Sequence, residues 1–290
     1  MLQMRQMDAV SLVIAFLIAM LASLLGAMLG IGGGSIFVPL MDMAVSFGAI
    51  DISFQEIIAT SLVCVIATSN VSSVVYIRRK ITNIRLAIFL GITNVMGAAA
   101  GAILRAHFPD NILRMIFGVF LVFASVNMLR KRDLRERVYN ATDILALKLK
   151  LNASYYDEAE RKEVRYTLNN TLRGLLLGFI GGFLAGLLGI GGGTVNVPIM
   201  VLILGTPQKV AAATSLLIIG MNGATGGLID LTLGHINPYV VSAAIFGILI
   251  GAYIGTRFLR KLRNETLRKI FALFLLYAAI RMILKGLGVI

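Results

Sequence analysis

The stretch LGIGGGSIFVPLM, Leu29 to Met41, constrains this chain more than any other, because the chain writes it twice. The second copy is LGIGGGTVNVPIM, Leu188 to Met200. Gly30, Ile31, Gly32, Gly33 and Gly34 recur as Gly189, Ile190, Gly191, Gly192 and Gly193. Ser35 returns as its hydroxyl homologue Thr194, and Pro39 returns as Pro198. Each copy separates two apolar runs. Consecutive glycines there break a helix, since each costs roughly 1 kcal/mol against alanine in a helix interior. Irregular backbone at membrane depth survives only where it is buried in protein or lines a watery cavity. Matched breaks in two halves of a membrane chain point to a transporter's binding site.

Composition supplies the membrane. The 290 residues are 58% hydrophobic, with a mean hydropathy of +0.88, whereas soluble domains are about 45–50% apolar. Glycine is common (30 residues) and proline rare (5), which favours close-packed helices over a barrel of alternating strands. The lone cysteine, Cys64, excludes an intramolecular disulfide, and the two histidines, His107 and His235, are too few for a histidine-based metal or catalytic site. No paired-carboxylate constellation lies in the apolar runs either, so neither an enzyme nor a bound cofactor is expected. The net charge of +13 reads as loop lysine and arginine that set membrane topology, not as a nucleic-acid surface. Ala9 to Leu29 is too long for a signal-peptide apolar region of about 7–15 residues.

The apolar runs fall at about Ala9–Leu29, Ser35–Gly48, Glu56–Ile77, Ile84–Leu104 and Ile112–Leu129. Ser35 is positioned to cap the second run, and Pro39 falls about one turn in, where a missing N–H costs least. The second half repeats this order, with Leu172–Leu188 and the short Thr194–Leu204 flanking the second break. ATSL at Ala59–Leu62 recurs at Ala213–Leu216, and NILRMIF at Asn111–Phe117 aligns with ETLRKIF at Glu265–Phe271. The expected architecture is an all-α integral membrane protein of two inverted-topology repeats. Each repeat is a glycine-broken helical hairpin plus three transmembrane helices, residues 1–130 and 171–290. The charged linker between them, 131–170, has enough leucine and alanine to form surface helices.

Inversion follows from charge. Arg78, Arg79 and Lys80 mark the loop after the third run, whereas the equivalent loop Leu231–Tyr239 has no lysine or arginine. The basic residues of the second half, Arg257, Arg260, Lys261 and Arg263, sit one loop later. Basic loops face the cytoplasm, so equivalent loops lie on opposite sides of a cell membrane. The linker is then cytoplasmic and both termini are outside. Parity makes each glycine-centred pair enter and leave on one side, and the shortness of its second member favours a re-entrant hairpin over two full spans.

At each break a short helix begins, and helix N-termini offer free N–H groups and a positive dipole end to anions. Two such ends facing each other would clasp one small anion. The candidate contacts are Gly30, Gly32, Gly33, Gly34 and Ser35, with Gly189, Gly191, Gly192, Gly193, Thr194 and Asn196. Thr60, Ser61, Thr214 and Ser215 of the two ATSL motifs are candidate lining residues, against the plainer reading that they bond back to their own helices. Asn70, Asn94 and Asn222 are uncharged amides in apolar runs, equally suited to interhelical hydrogen bonds. Asp42 reads as an interfacial charge, with a proton site as the other reading. His107 and His235 fall in outer loops and read as solvated.

The doubled LGIGGG-[ST]-x3-P motif, the ATSL that follows each copy and the basic mid-chain linker resemble the sulfite exporter permeases of the TauE/SafE type, from about Ala9 to Leu284. The resemblance implies a permease for small sulfur-containing anions such as sulfite, sulfoacetate or thiosulfate. Carried onto this sequence, it implicates Gly30–Ser35 with Pro39, and Gly189–Thr194 with Pro198. Phe37 and Asn196 hold equivalent positions but differ in polarity, which argues against a symmetric site. The expected activity is secondary transport by alternating access, with a proton or cation as a candidate coupling partner. An anion channel built on the same half-helices is the alternative.

Overall fold

The computed structural model describes residues 8–29, 32–129, 143–157, 161–258 and 264–289, and the side chains of these apart from 28–29, 256–258 and 264–268. Its first half contains α1 (Ala9–Leu29), α2 (Gly34–Ser46), α3 (Phe54–Arg78), α4 (Ile84–Arg105) and α5 (Asp110–Leu129). Its second contains α7 (Thr171–Leu188), α8 (Gly193–Leu202), α9 (Gln208–Leu233), α10 (Pro238–Phe258) and α11 (Asn264–Gly286). Between them lie α6 (Ile144–Lys148) and the strands β1 (Ala153–Asp157) and β2 (Lys162–Tyr166). Among the described residues, 7 helices are long and apolar enough to cross a membrane: α1, α3, α4, α5, α7, α9 and α10. The protein is a helical, multi-pass membrane protein.

Local chemistry sets the helix starts. Ser53 and Glu56 form a reciprocal capping box on α3, and the Asn83 side chain accepts the Leu86 N–H to cap α4. At α2 the expected Ser35 cap is not made. The helix begins one residue earlier, at Gly34, after Gly33 in the left-handed region (φ 80°), with no side-chain cap. Only glycine takes that conformation without strain, so the glycine run itself ends the turn and Ser35 falls inside the helix.

The linker departs from the helical expectation. Among its described residues it holds the short helix α6 and an antiparallel ribbon running in register from Ala153 opposite Tyr166 to Asp157 opposite Lys162. Tyr155 and Asp157 face inward while Ser154 and Tyr156 alternate with them, and aromatic and β-branched residues suit such a pleated surface. The expected charge run from Arg130 to Arg137 lies outside the described residues.

This unit is fastened across both halves. Asn83 Nδ2 donates to the Leu151 carbonyl (2.7 Å) and the Tyr166 hydroxyl (3.0 Å), and Lys209 Nζ pairs with Asp157 (2.7 Å). Asp143 accepts both the N–H and the hydroxyl of Thr171. The Asp143 carboxyl, which burial alone would push up, is held below its usual value by those bonds and the Leu145 N–H. The starts of α4, α7 and α9 therefore share one face, here called the linker face.

Glycine contacts fix helix directions. A Cβ on Gly247 would overlap the Phe16 carbonyl, and one on Gly251 the Met20 carbonyl. Rising numbers meet rising numbers, so α1 and α10 run parallel. Gly97 and Gly101 meet the carbonyls of Phe179 and Phe183 in the same way, so α4 and α7 also run parallel. By contrast, Ser69 donates to the Leu216 carbonyl while Gly226 packs on Leu62, making α3 and α9 antiparallel. The α5–α11 pair is antiparallel too, since Ser125 donates to the Ala272 carbonyl and Gly286 packs on Met115. Small residues allow this close approach of backbones, the usual means of helix association in lipid.

Each glycine-centred pair turns back on itself. Ser11 Oγ, near the start of α1, donates to the Ala49 carbonyl just past α2 (2.9 Å). In the second half the Asn169 N–H, just before α7, meets the Leu204 carbonyl just past α8 (3.1 Å). The long arms α1 and α7 reach spanning length. The short arms have 13 and 10 residues, about 20 and 15 Å at 1.5 Å per residue, against a hydrocarbon core of about 30 Å.

Candidate anion site at the paired helix breaks

The two breaks meet where α3 crosses α9. A Cβ on Gly32 would lie 2.9 Å from Ile219 Cγ2 and 3.5 Å from Val65 Cγ1, and one on Gly191 would lie 2.8 Å and 3.4 Å from the same two atoms. Val65 and Ile219 are themselves equivalent positions in the ATSL-aligned halves. The backbones also touch, because a Cβ on Gly34 would fall 2.7 Å from the Gly189 carbonyl oxygen. Both short helices thus start at one locus, bringing together two sets of N–H groups that lack intrahelical partners and two positive dipole ends. Pro39 and Pro198 lie inside these helices, and each withdraws the N–H that would bond the Ser35 or Thr194 carbonyl. Gly30 and Ile31 lie outside the described residues.

The hydroxyls divide into two groups. Those of Ser35, Thr60 and Thr194 are buried without a hydrogen-bond partner. The others are engaged: Ser61 donates to the Gly189 carbonyl (2.7 Å), and Ser215 donates to the Ala212 carbonyl of its own helix (2.8 Å). Thr214 accepts the Asn83 N–H (3.1 Å) toward the linker face. Ser61 therefore ties the first half to the second break directly.

Three buried amides complete the second break. Asn196 Nδ2 donates to Asn94 Oδ1 (2.9 Å), and Asn222 Nδ2 lies 3.3 Å from the same oxygen and 3.2 Å from the Gly191 carbonyl. Asn94 Nδ2 in turn donates to the Leu90 carbonyl of its own helix. Asn222 Oδ1 has no partner. A Cβ on Gly192 would sit 3.1 Å from both the Asn196 and Asn222 amide nitrogens. The counterparts of Asn196, Asn222 and Asn94 in the opposite halves are Phe37, Thr68 and Ile248, of which Phe37 and Ile248 are buried apolar residues. The locus is neutral and donor-rich on one side and apolar on the other. Asn70 takes no part, being exposed on the outer side of α3.

Charge lies at the end of the bundle away from the linker. Asp42 is not a solvated interfacial residue: it is 3% exposed, and its Oδ1 is 3.0 Å from both Arg114 Nε and Lys285 Nζ. The turn of α2 that carries it faces α5 and α11, which supply those cations. Arg105 and Asp230 are both fully buried and paired, and Arg105 also donates to the Gly186 carbonyl (2.8 Å), in the last turn of α7. Arg105 does not stand out in the sequence, since it reads as the end of an apolar run. Asp230 alone carried a signal, as a single carboxylate inside such a run. His235 is partly buried, with Nδ1 3.5 Å from Asp230 Oδ1, whereas His107 is exposed and contacts its own Ile103 carbonyl.

These features also sit within a known sequence family. The model of the family described as Sulfite exporter TauE/SafE matches residues 15–282. The chain belongs to this family. It is 29% identical over 280 residues to the "Probable membrane transporter protein YunE" of Bacillus subtilis, covering 96% of this chain and 99% of that protein. It is 24% identical over 224 residues to the "Probable membrane transporter protein MJ0441" of Methanocaldococcus jannaschii, covering 77% of this chain and 73% of that one. No solved structure matches the chain. Membership of this family makes the protein a membrane transporter of permease type.

Proposed function

We propose that the protein is a secondary transporter that moves a small anion, a sulfur oxyanion or sulfonate such as sulfite, thiosulfate or sulfoacetate, by alternating access. The observation that carries this reading is the convergence of both helix breaks on Val65 and Ile219. Two helix N-termini at one locus favour a single small anion over a large or cationic ligand. The contacts are Gly32, Gly33, Gly34 and Ser35 with Gly191, Gly192, Gly193, Thr194 and Asn196. Ser61 and Gly189 brace them, and Thr60, Thr214 and Ser215 line the α3–α9 crossing on either side. The buried state of Ser35, Asn196 and their neighbours fits an occluded conformation.

Residues 1–130 and 171–290 act as inverted repeats, a reading supported by the antiparallel run of the equivalent pairs α3/α9 and α5/α11. Exchange of conformation between two such repeats opens one central site to each side in turn. The linker face is cytoplasmic in a cell membrane, a reading supported by the basic loop Arg78–Lys80. A thermal-shift screen of the purified protein across sulfite, sulfate, thiosulfate, sulfonates and carboxylates tests the substrate class; stabilisation by sulfur oxyanions or sulfonates is the expected result. Saturable counterflow in proteoliposomes is expected as well. Flux without counterflow would identify a channel built on the same half-helices.

A further inference from the structure

The transporter reading leaves one buried group without a role, the Arg105–Asp230 pair. Arg105 closes α4, Asp230 lies one turn from the end of α9, and the Gly186 carbonyl bonded to Arg105 lies in the last turn of α7. Three helices from both halves are thus joined just outside the second glycine break, on the face away from the linker. Both side chains are fully buried, yet neither is saturated: among the described residues, Arg105 Nε and Asp230 Oδ2 have no hydrogen-bond partner. A buried ion pair used only as a brace gains most when its remaining donors and acceptors are satisfied.

A second titratable side chain stands beside the pair. Gly234 ends α9 in the left-handed conformation (φ 73°), and the His235 N–H returns to the Asp230 carbonyl (3.0 Å) while the Gly234 N–H bonds the Leu231 carbonyl. This two-bond helix stop folds His235 back over the carboxylate, where its ring is 24% exposed and 3.5 Å away. Among the described residues, Arg105 and His235 are the charged or titratable side chains facing Asp230. From α3 the same stretch of α9 meets Leu62 and Ile66, and from α7 the Gly186 region.

We propose that Arg105 and Asp230 form a proton-coupled anion gate, in which the transported anion takes Arg105 from Asp230 and Asp230 then binds a proton that enters past His235. The inference rests on the anion-transport reading. With its cation drawn away, the buried Asp230 carboxylate is left without a counter-charge, and one proton from the outer solution joins it for each anion that reaches Arg105. When the anion leaves, Arg105 returns, Asp230 ionises again, and the proton is released. The guanidinium suits an oxyanion because its planar fork of donors matches two oxygens at once.

The test uses the full-length protein in proteoliposomes with thiosulfate and sulfoacetate, which do not exchange protons near neutral pH, and a pH dye inside. The wild type is expected to move a proton with each anion. Asp230→Asn is expected to retain anion uptake with at least a tenfold fall in the accompanying proton movement and no dependence on outside pH. Arg105→Gln is expected to lower uptake at least tenfold, Arg105→Lys to retain part of it, and Arg105→Gln combined with Asp230→Asn to remain inactive. If the pair is only a brace, the neutral double variant recovers uptake, and that result overturns the gate. Anion uptake by the wild type without protons, or unchanged proton movement in Asp230→Asn, overturns the gate but leaves the transport reading standing. Uptake of neither anion by the wild type overturns both.

Discussion

Replacing Asn94 by aspartate separates a site at the second break from mere packing there. Asn94 Oδ1 accepts from Asn196 (2.9 Å) and faces the Asn222 amide (3.3 Å). Aspartate keeps that oxygen, and the two amide donors favour its ionised form against the burial that favours the neutral one, so the charge is carried at raised pH, where the comparison is made. The substitution removes one donated bond, from Asn94 Nδ2 to the Leu90 carbonyl at 3.0 Å, worth about 0.6–2 kcal/mol inside a membrane bundle. An anion held at the Gly192–Gly193 end of α8 would sit about 6 Å from the new charge. At an effective dielectric of about 20, the repulsion is roughly 3 kcal/mol, or on the order of a hundredfold in Kd. Titration calorimetry or ligand-dependent melting should therefore show Asn94→Asp folded but with anion affinity about a hundredfold weaker. Protonation removes the charge, so affinity should recover as pH falls. Asn94→Leu is the packing control: it leaves two buried amide nitrogens without their acceptor, and the apo melting temperature should drop. An Asn94→Asp protein whose anion affinity does not fall as pH is raised would refute a site at this break.

Asp42→Asn should destabilise the protein by about 3–5 kcal/mol, because it leaves the Arg114 and Lys285 cations facing a neutral group; thermal unfolding in detergent reads it, and an unchanged midpoint would mean the cluster is dispensable. Gly182→Ala should also lower the melting temperature, since its Cβ would overlap the Asn94 carbonyl. Failure of that drop would remove close α4–α7 packing as the reason for the glycine. In a Cys64→Ala background, cysteines at Thr82 and Asn237 should label from opposite sides of the membrane, and labelling from one side would end the inverted-repeat reading.

Most helix positions were legible because their limits are local events. The glycine runs, the Ser53–Glu56 capping box and Asn83 each stop or start a helix with chemistry contained within a few residues. On the proposed inverted-repeat reading, the meeting of the breaks at the crossing also fits repetition, since equivalent motifs that lie near a twofold axis face each other. The charge pairs did not follow in this way. Arg105 and Asp230 are 125 residues apart in sequence, and no periodicity links an arginine at one helix end with an aspartate near another. Asp42 misled for the same reason: its cations lie 72 and 243 residues away. The β-ribbon was missed because its two strands have only 5 residues each, too few for alternation to outweigh the leucines and alanines around them.

On the proposed inverted-repeat reading the two ends of the bundle are alike in topology, but their side chains differ in kind. The face away from the linker is closed by buried charge, Arg105 with Asp230 and Asp42 with Arg114 and Lys285. In the aligned half, the places of Asp230 and Asp42 are taken by Tyr76 and Val201, so the linker face lacks those carboxylates. It is held instead by the ribbon, through Asn83 to Leu151 and Tyr166 and through the half-exposed Lys209–Asp157 pair. Exposed pairs are worth at most about 1 kcal/mol and weaken with salt, whereas separating a buried pair leaves a charge that must find another partner. Opening toward the linker therefore releases neutral hydrogen bonds and one half-exposed pair, but separates no fully buried ion pair. Opening the other way needs something to replace Asp230 at Arg105, and an anion is the simplest species able to do so. An unloaded protein should on this account rest closed on the face away from the linker.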